Sequence, residues 1–228
     1  MARRKGDGST GRKKNQTHNS RREDVKNQRL LVMIACEGKK SERFYFEEFF
    51  KQLKTAQVIS KISCVIAPHD HTNPSGVLDD LLNFTTSTGA TYEDYEHKWI
   101  VIDRDEERTG GGGHTIEDFN SAIERTRDKD VKVAWSNPSF EIWYLLHFQF
   151  RDTGIHRDEV ITKLNECIGN KYCKNDRTMF ASLKPKMDLA IRNAKRLLKN
   201  AENLNLSPAD TNPGTAVVDL VENLLQTE

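Results

Sequence analysis

No apolar run in this 228-residue chain is long enough to cross a bilayer. The longest, Ile142–Phe148, falls far short of the ~20 residues a spanning helix needs. The N-terminus is basic, but no apolar segment follows it, so a secretory signal is not expected. Cysteine is scarce: the four present (Cys36, Cys64, Cys167, Cys173) form no C-x-x-C pair, which argues against a zinc ribbon or a disulfide framework. Cys36 and Cys64 stand in apolar runs and read as small core residues, and a reducing cytoplasm is the expected compartment. The glycines Gly110–Gly113 are not followed by Lys and Ser/Thr in P-loop spacing, so no ATP-hydrolysis motif is present. Repeats of solenoid length are also missing. What remains is a polar chain, 30% charged with a mean hydropathy of −0.72, expected to be soluble.

The net charge of +1 conceals a division. Residues 1–29 hold ten basic side chains, Arg3, Arg4, Lys5, Arg12, Lys13, Lys14, Arg21, Arg22, Lys26 and Arg29, against Asp7, Glu23 and Asp24. The rest of the chain is therefore acidic by six charges. A basic arm on an acidic body suggests contact with a polyanion such as nucleic acid. The same Gly-, Ser-, Asn- and Gln-rich composition equally describes a solvated, disordered leader.

From Leu30 the pattern becomes regular. Leu30–Cys36, Val58–Ala67, Lys98–Ile102 and Val131–Trp135 read as strands, the first a continuous apolar run of the kind buried on both faces. Between and after them Ser41–Leu53, Pro74–Phe84, Thr115–Arg127 and Ser139–Phe148 read as helices. This alternation predicts an α/β fold, a parallel sheet with flanking helices and right-handed crossovers. After about Gln149 strand signals stop, and Asp158–Ile168, Lys184–Glu202 and Gly214–Leu225 read as helices. Three regions are expected: an arm over 1–29, an α/β core over 30–149 and a helical C-terminal extension over 150–228. Two short echoes, Asn73-Pro74 and Asn212-Pro213, each read as Asn at an N-cap and Pro at the first helical position.

In a parallel sheet, functional groups gather beyond the carboxyl ends of the strands. Glu37 directly follows the first predicted strand and Asp103 the third, with Asp105 two residues on. If those strands are neighbours, three carboxylates meet at one edge, where they repel unless a cation compensates. Such oxygen ligands suit Mg²⁺ or Mn²⁺, not zinc. Gly38 permits a tight strand-to-helix turn. Glu42 is either a supporting carboxylate or a first-turn acid favoured by the helix dipole. Glu107 extends the series as a third ligand or a loop charge. Glu141, inside an otherwise apolar helix, must join the metal site or pair with a base, because an unpartnered buried carboxylate is costly. Asn137 reads as an N-cap with a substrate contact in reach, and His147 as a core histidine. His69-Asp70-His71 reads as surface polar groups before a metal site.

Together, Glu-Gly after strand one and Asp-x-Asp after strand three resemble the Toprim signature over roughly Leu30 to Phe148. More specific are Cys36-Glu37-Gly38-Lys39-Lys40-Ser41-Glu42 with Tyr45-Phe46, the stretch Ser136–Phe148, and Asn212-Pro213-Gly214-Thr215. These segments are similar to the RloB-like family, a Toprim branch of bacterial restriction and anti-phage loci, over nearly the whole chain apart from the arm. Lys39 and Lys40 depart from the acid or polar residues common in relatives and leave the ligand set intact. The resemblance implies metal-dependent phosphodiester chemistry, with Glu37 as metal ligand or general acid/base and Asp103 and Asp105 holding Mg²⁺. Glu107 and Glu141 are further candidate ligands, and Gly38, Glu42, Asn137 and Asn212 candidate supporting or substrate contacts. The expected activity is a nuclease on DNA or RNA working with an ABC-type ATPase partner. The alternative is a non-catalytic module that binds nucleic acid or nucleotide and docks on that partner. Topoisomerase or primase chemistry is not expected, since the chain has no room for a strand-transfer tyrosine domain or primase helper modules.

Overall fold

The computed structural model describes residues 29–55, 61–105 and 113–225. Five strands form one sheet: β1 (Arg29–Cys36), β2 (Lys61–Ile66), β3 (His97–Asp103), β4 (Lys132–Asn137) and β5 (Gly214–Thr215). Their spatial order is β2-β1-β3-β4-β5. The first four run parallel, as expected, and β1 and β3 are neighbours. β5 is antiparallel to β4, pairing Thr215 with Ser136 and Gly214 with Asn137. This corrects two expectations: strands do not stop after Gln149, and Gly214 does not open a helix.

The helices are α1 (Ser41–Thr55), α2 (Pro74–Asn83), α3 (Ile116–Arg127), α4 (Glu141–Leu146), α5 (Arg157–Ile168), α6 (Met179–Leu183), α7 (Met187–Asn203) and α8 (Val217–Leu225). Among the described residues none is long and apolar enough to cross a membrane. Alternation along the strands sends side chains to opposite faces. Val32, Ile34 and Cys36 of β1, with Trp99 and Val101 of β3, pack under α1, α4, α6, α7 and α8. Met33 and Ala35, with Ile100 and Ile102, pack under α2 and α3. The first face is rich in aromatic contacts: Tyr45 lies 5.0 Å from Phe180 and 5.8 Å from Phe140, ring centre to ring centre. Leu164, Met179, Leu197 and Leu220, all beyond residue 149, belong to that same cluster. The C-terminal helices thus complete the core on one face of the sheet.

The three Asn-Pro steps are not alike. Asn73 does occupy the N-cap of α2, yet its side chain makes no cap bond; its Nδ2 donates to Asp118 Oδ2 of α3 at 3.0 Å. Asn137 is the last residue of β4, three positions before the α4 N-cap at Phe140, and its bond to Pro138 is cis. Asn212 precedes β5, and its bond to Pro213 is also cis. Neither is a helix cap.

Candidate functional site

The register of β1 against β3 sets the site. The pairing ends at Cys36 opposite Val101, and the Glu37 N–H carries it one step further by donating to Val101 O at 2.9 Å. Glu37 is thereby brought alongside Asp103, whose backbone N–H donates to Glu37 Oε2 at 3.0 Å. Asp103 ends β3 opposite Ser136 of β4, and Arg104 N–H donates to Ser136 O at 2.7 Å. The expected meeting of Glu37 with Asp103 and Asp105 at one sheet edge is what the strand order produces. All three line a cleft of about 230 Å³, together with Gly38, Lys39, Lys40, Ser41, Glu42, Thr72, Arg157 and Lys174.

Each carboxylate has a distinct environment. Glu37 Oε1 lies 3.5 Å from Nδ1 of His114, a buried imidazole stacked on Phe119. Asp105 forms an ion pair with Arg157, the first residue of α5. Burial alone would lower the Arg157 pKa, but Asp105, with Asp103 and Glu141 behind it, outweighs burial and raises it. Asp103 Oδ1 is shut off from solvent, with no hydrogen-bond partner among the described residues. Desolvation, then the charges of Glu42, Glu37 and Glu141, push the Asp103 carboxyl well above the usual carboxylate range.

Glu42 is not the ordinary first-turn acid favoured above. It is buried in the first turn of α1, where desolvation and then the neighbouring Glu141 raise its pKa to about 7. Gly38 explains how it fits. The backbone there does not adopt a left-handed conformation; a Cβ on Gly38 would instead overlap the Glu42 carboxyl group. The chain does turn from strand to helix within residues 37–40, and there the glycine also serves close approach to Glu42. Glu141, the first residue of α4, has 2% of its surface exposed and accepts from Ser41 Oγ at 3.1 Å and Tyr172 Oη at 3.0 Å. Lys174 Nζ reaches it at 3.7 Å. Its burial is therefore supported by two hydroxyls and one cation.

Other candidates have protein partners elsewhere. Asn137 Nδ2 donates to Ala209 O at 2.9 Å, and Asn212 exchanges two 3.1 Å bonds with the Ile155 backbone. Neither residue lines the cleft. His69 Nδ1 lies 3.1 Å from Cys36 O, while His71 pairs with Asp80, so the two imidazoles do not converge on one ligand. His147 is fully buried with Nδ1 2.9 Å from Trp143 O, and burial lowers its pKa to about 4, the state of a neutral core histidine. Glu107 and the arm residues Arg3, Arg4, Lys5, Arg12, Lys13, Lys14, Arg21 and Arg22 lie outside the described residues.

Sequence reasoning missed His114, Ser41, Arg157, Tyr172 and Lys174. Only Ser41 carried a local signal, as the residue opening α1 beside Glu42; through tertiary packing Arg157 and Lys174 reach the cleft, His114 reaches Glu37 and Tyr172 reaches Glu141.

Among the described residues, no three His, Cys, Asp or Glu side chains are grouped so as to hold a metal as they stand. Glu37 is turned to the Asp103 N–H and Asp105 to Arg157. The donor set nevertheless fits a hard divalent cation: it is all oxygen, and Asp103 Oδ1 is a buried acceptor without a donor among the described residues.

A family model described as RloB-like protein matches residues 32–224. Comparison with curated proteins and with solved structures finds no match.

Proposed function

Given that this chain belongs to the RloB-like family, we propose that it is a Toprim-type, Mg²⁺- or Mn²⁺-dependent nuclease of a bacterial anti-phage system, acting on DNA or RNA beside an ATPase partner. The observation that carries this reading is Asp103: its unpartnered oxygen stands among the like charges of Glu37, Glu42 and Glu141. A stable fold leaves few buried polar atoms unsatisfied, and strongly shifted carboxyls in a cleft mark chemical sites. Glu37, Asp103 and Asp105 are the residues to hold the cation, with Glu42 and Glu141 behind them. A divalent cation bound there supplies charge neutralisation of the scissile phosphate and a more acidic water.

The remaining roles fall to the chain itself. Lys39, Lys40 and Lys174, all exposed at the cleft, attract a phosphate backbone. The α1 N-terminus beside them is favourable for an anion. Glu42, with a pKa of about 7, is suited to take or give a proton near neutrality. The size of the cleft also discriminates between ligands. At about 230 Å³ it is smaller than the roughly 300–1,000 Å³ of pockets that enclose drug-sized molecules. A phosphodiester group fits this space better than a whole nucleotide does.

The test is titration of the full chain with Mn²⁺, followed by cleavage of labelled DNA and RNA with and without the ATPase partner. Wild type is expected to bind Mn²⁺ and to cut; Glu37→Ala and Asp103→Ala are expected to do neither. Cutting that survives both substitutions overturns the assignment. The rival reading, a non-catalytic binding module, draws on the basic arm. In that case deleting residues 1–29 abolishes nucleic-acid binding and flattens its salt dependence, while the acidic substitutions change little.

A further inference from the structure

One cation of the cleft, Arg157, already sits against a carboxylate of the proposed ligand set. It reaches Asp105 from the first turn of α5, and both side chains are largely buried, at 18% and 17% exposed. The helix does not explain this placement, because the positive end of a helix dipole disfavours a cation in the first turn. Asp105 does explain it, and Asp103 and Glu141 reinforce the attraction. Of the four cations that line the cleft among the described residues, Lys39, Lys40 and Lys174 are exposed, whereas Arg157 is largely buried. One oxygen of Asp105, Oδ2, is therefore already engaged by a guanidinium that competes with a metal for it.

We propose that Arg157 is an exchangeable counter-ion that holds Asp105 until a divalent cation displaces it, after which its freed guanidinium grips the substrate phosphate. Two properties of this corner support the exchange. The pair closes a group of acids that would otherwise repel, and it does so with a side chain that binds phosphate as readily as carboxylate. Arg157 is thus a positioning residue whose partner depends on whether metal is bound. The inference rests on the metal-dependent reading above.

Its test is calorimetric titration of the full chain with Mn²⁺ alone, paired with anisotropy of a fluorescein-labelled single-stranded DNA. That strand has a phosphorothioate backbone to resist cleavage. Arg157→Gln removes the competing charge, so its Mn²⁺ affinity is expected to rise about five-fold, the scale of one ion pair. The same variant is expected to bind the DNA more weakly than wild type when Mn²⁺ is present and equally when it is absent. Arg157→Lys keeps the charge without the fork; it is expected to fall between the two in Mn²⁺ affinity, and it serves if the Gln variant does not fold. Mn²⁺ affinity that is unchanged or weaker in both variants overturns the exchange, as does loss of DNA binding that is equal with and without Mn²⁺. Wild type that takes up no Mn²⁺ brings down the metal-dependent reading itself, a result distinct from either.

Discussion

Two corners lie along the same edge of the sheet and are built on opposite terms. Where β4 meets β5, polar groups are matched: Asn137 donates to Ala209 O, Asn212 exchanges two bonds with Ile155, and Ser136 Oγ lies 3.1 Å from Thr215 Oγ1. Where β1 meets β3, Glu37, Glu42, Asp103 and Glu141 crowd together, and one buried Asp103 oxygen has no partner among the described residues. The first corner has the satisfied bonding of a structural joint. The second keeps unfavourable electrostatics that a purely structural joint would have no reason to retain, as functional sites do.

The largest expected contrast comes from Asp103→Asn. Cleavage should fall on the order of 100-fold or more, the scale of removing one preorganised electrostatic group. The metal-free chain should melt no lower than wild type, because a like charge has been removed from the crowd. A variant that melts lower and still cuts would put both corners on the same footing. Gly38→Ala comes next. Its methyl group overlaps the Glu42 carboxyl, so stability should drop by about 2 kcal/mol in denaturant titration and Mn²⁺ affinity should weaken with it. Asn137→Ala tests the other corner. Leaving Ala209 O without its donor should cost about 1–2 kcal/mol while Mn²⁺ affinity is unchanged.

The smallest effect is one of pH. Desolvation, then Glu141, raises the Glu42 pKa from 4.5 to about 7. Between those values the folded chain holds a proton the unfolded chain has released, so stability is greatest below pH 4.5 and declines as pH rises to 7. His147 acts the other way: burial lowers its pKa from 6.5 to about 4, and stability is lost as pH falls through that range. The opposed slopes partly cancel in wild type. Melting of Glu42→Gln in EDTA separates them. Its stability relative to wild type should rise from pH 4.5 to 7 and level off above, and a flat difference would show that Glu42 titrates normally.

The placement of Glu37 and Asp103 was legible because each follows an apolar run whose period marks a strand, and acids at strand ends are local facts. The family resemblance likewise rested on contiguous residues. The environment of Glu42 was not legible: helix position says which acid begins α1, but its burial depends on Gly38 leaving room and on Glu141 arriving from α4. Arg157, Tyr172 and Lys174 were hidden for a similar reason, since no periodicity reports which distant segment packs against these carboxylates. β5 escaped because two residues are too few to make a pattern, and only its pairing with β4 defines it.

That brief strand has a consequence for how the molecule meets its neighbours. A parallel sheet exposes rows of backbone donors and acceptors at its margins, and a long bare margin recruits stray extended chains into aggregates. Here the β4 side ends in a two-residue strand running the other way, after which the Ala216 N–H donates to Trp135 O and the chain turns into a helix at Val217. At the carboxyl end of β4, an intruding chain would find only a two-residue segment to pair with.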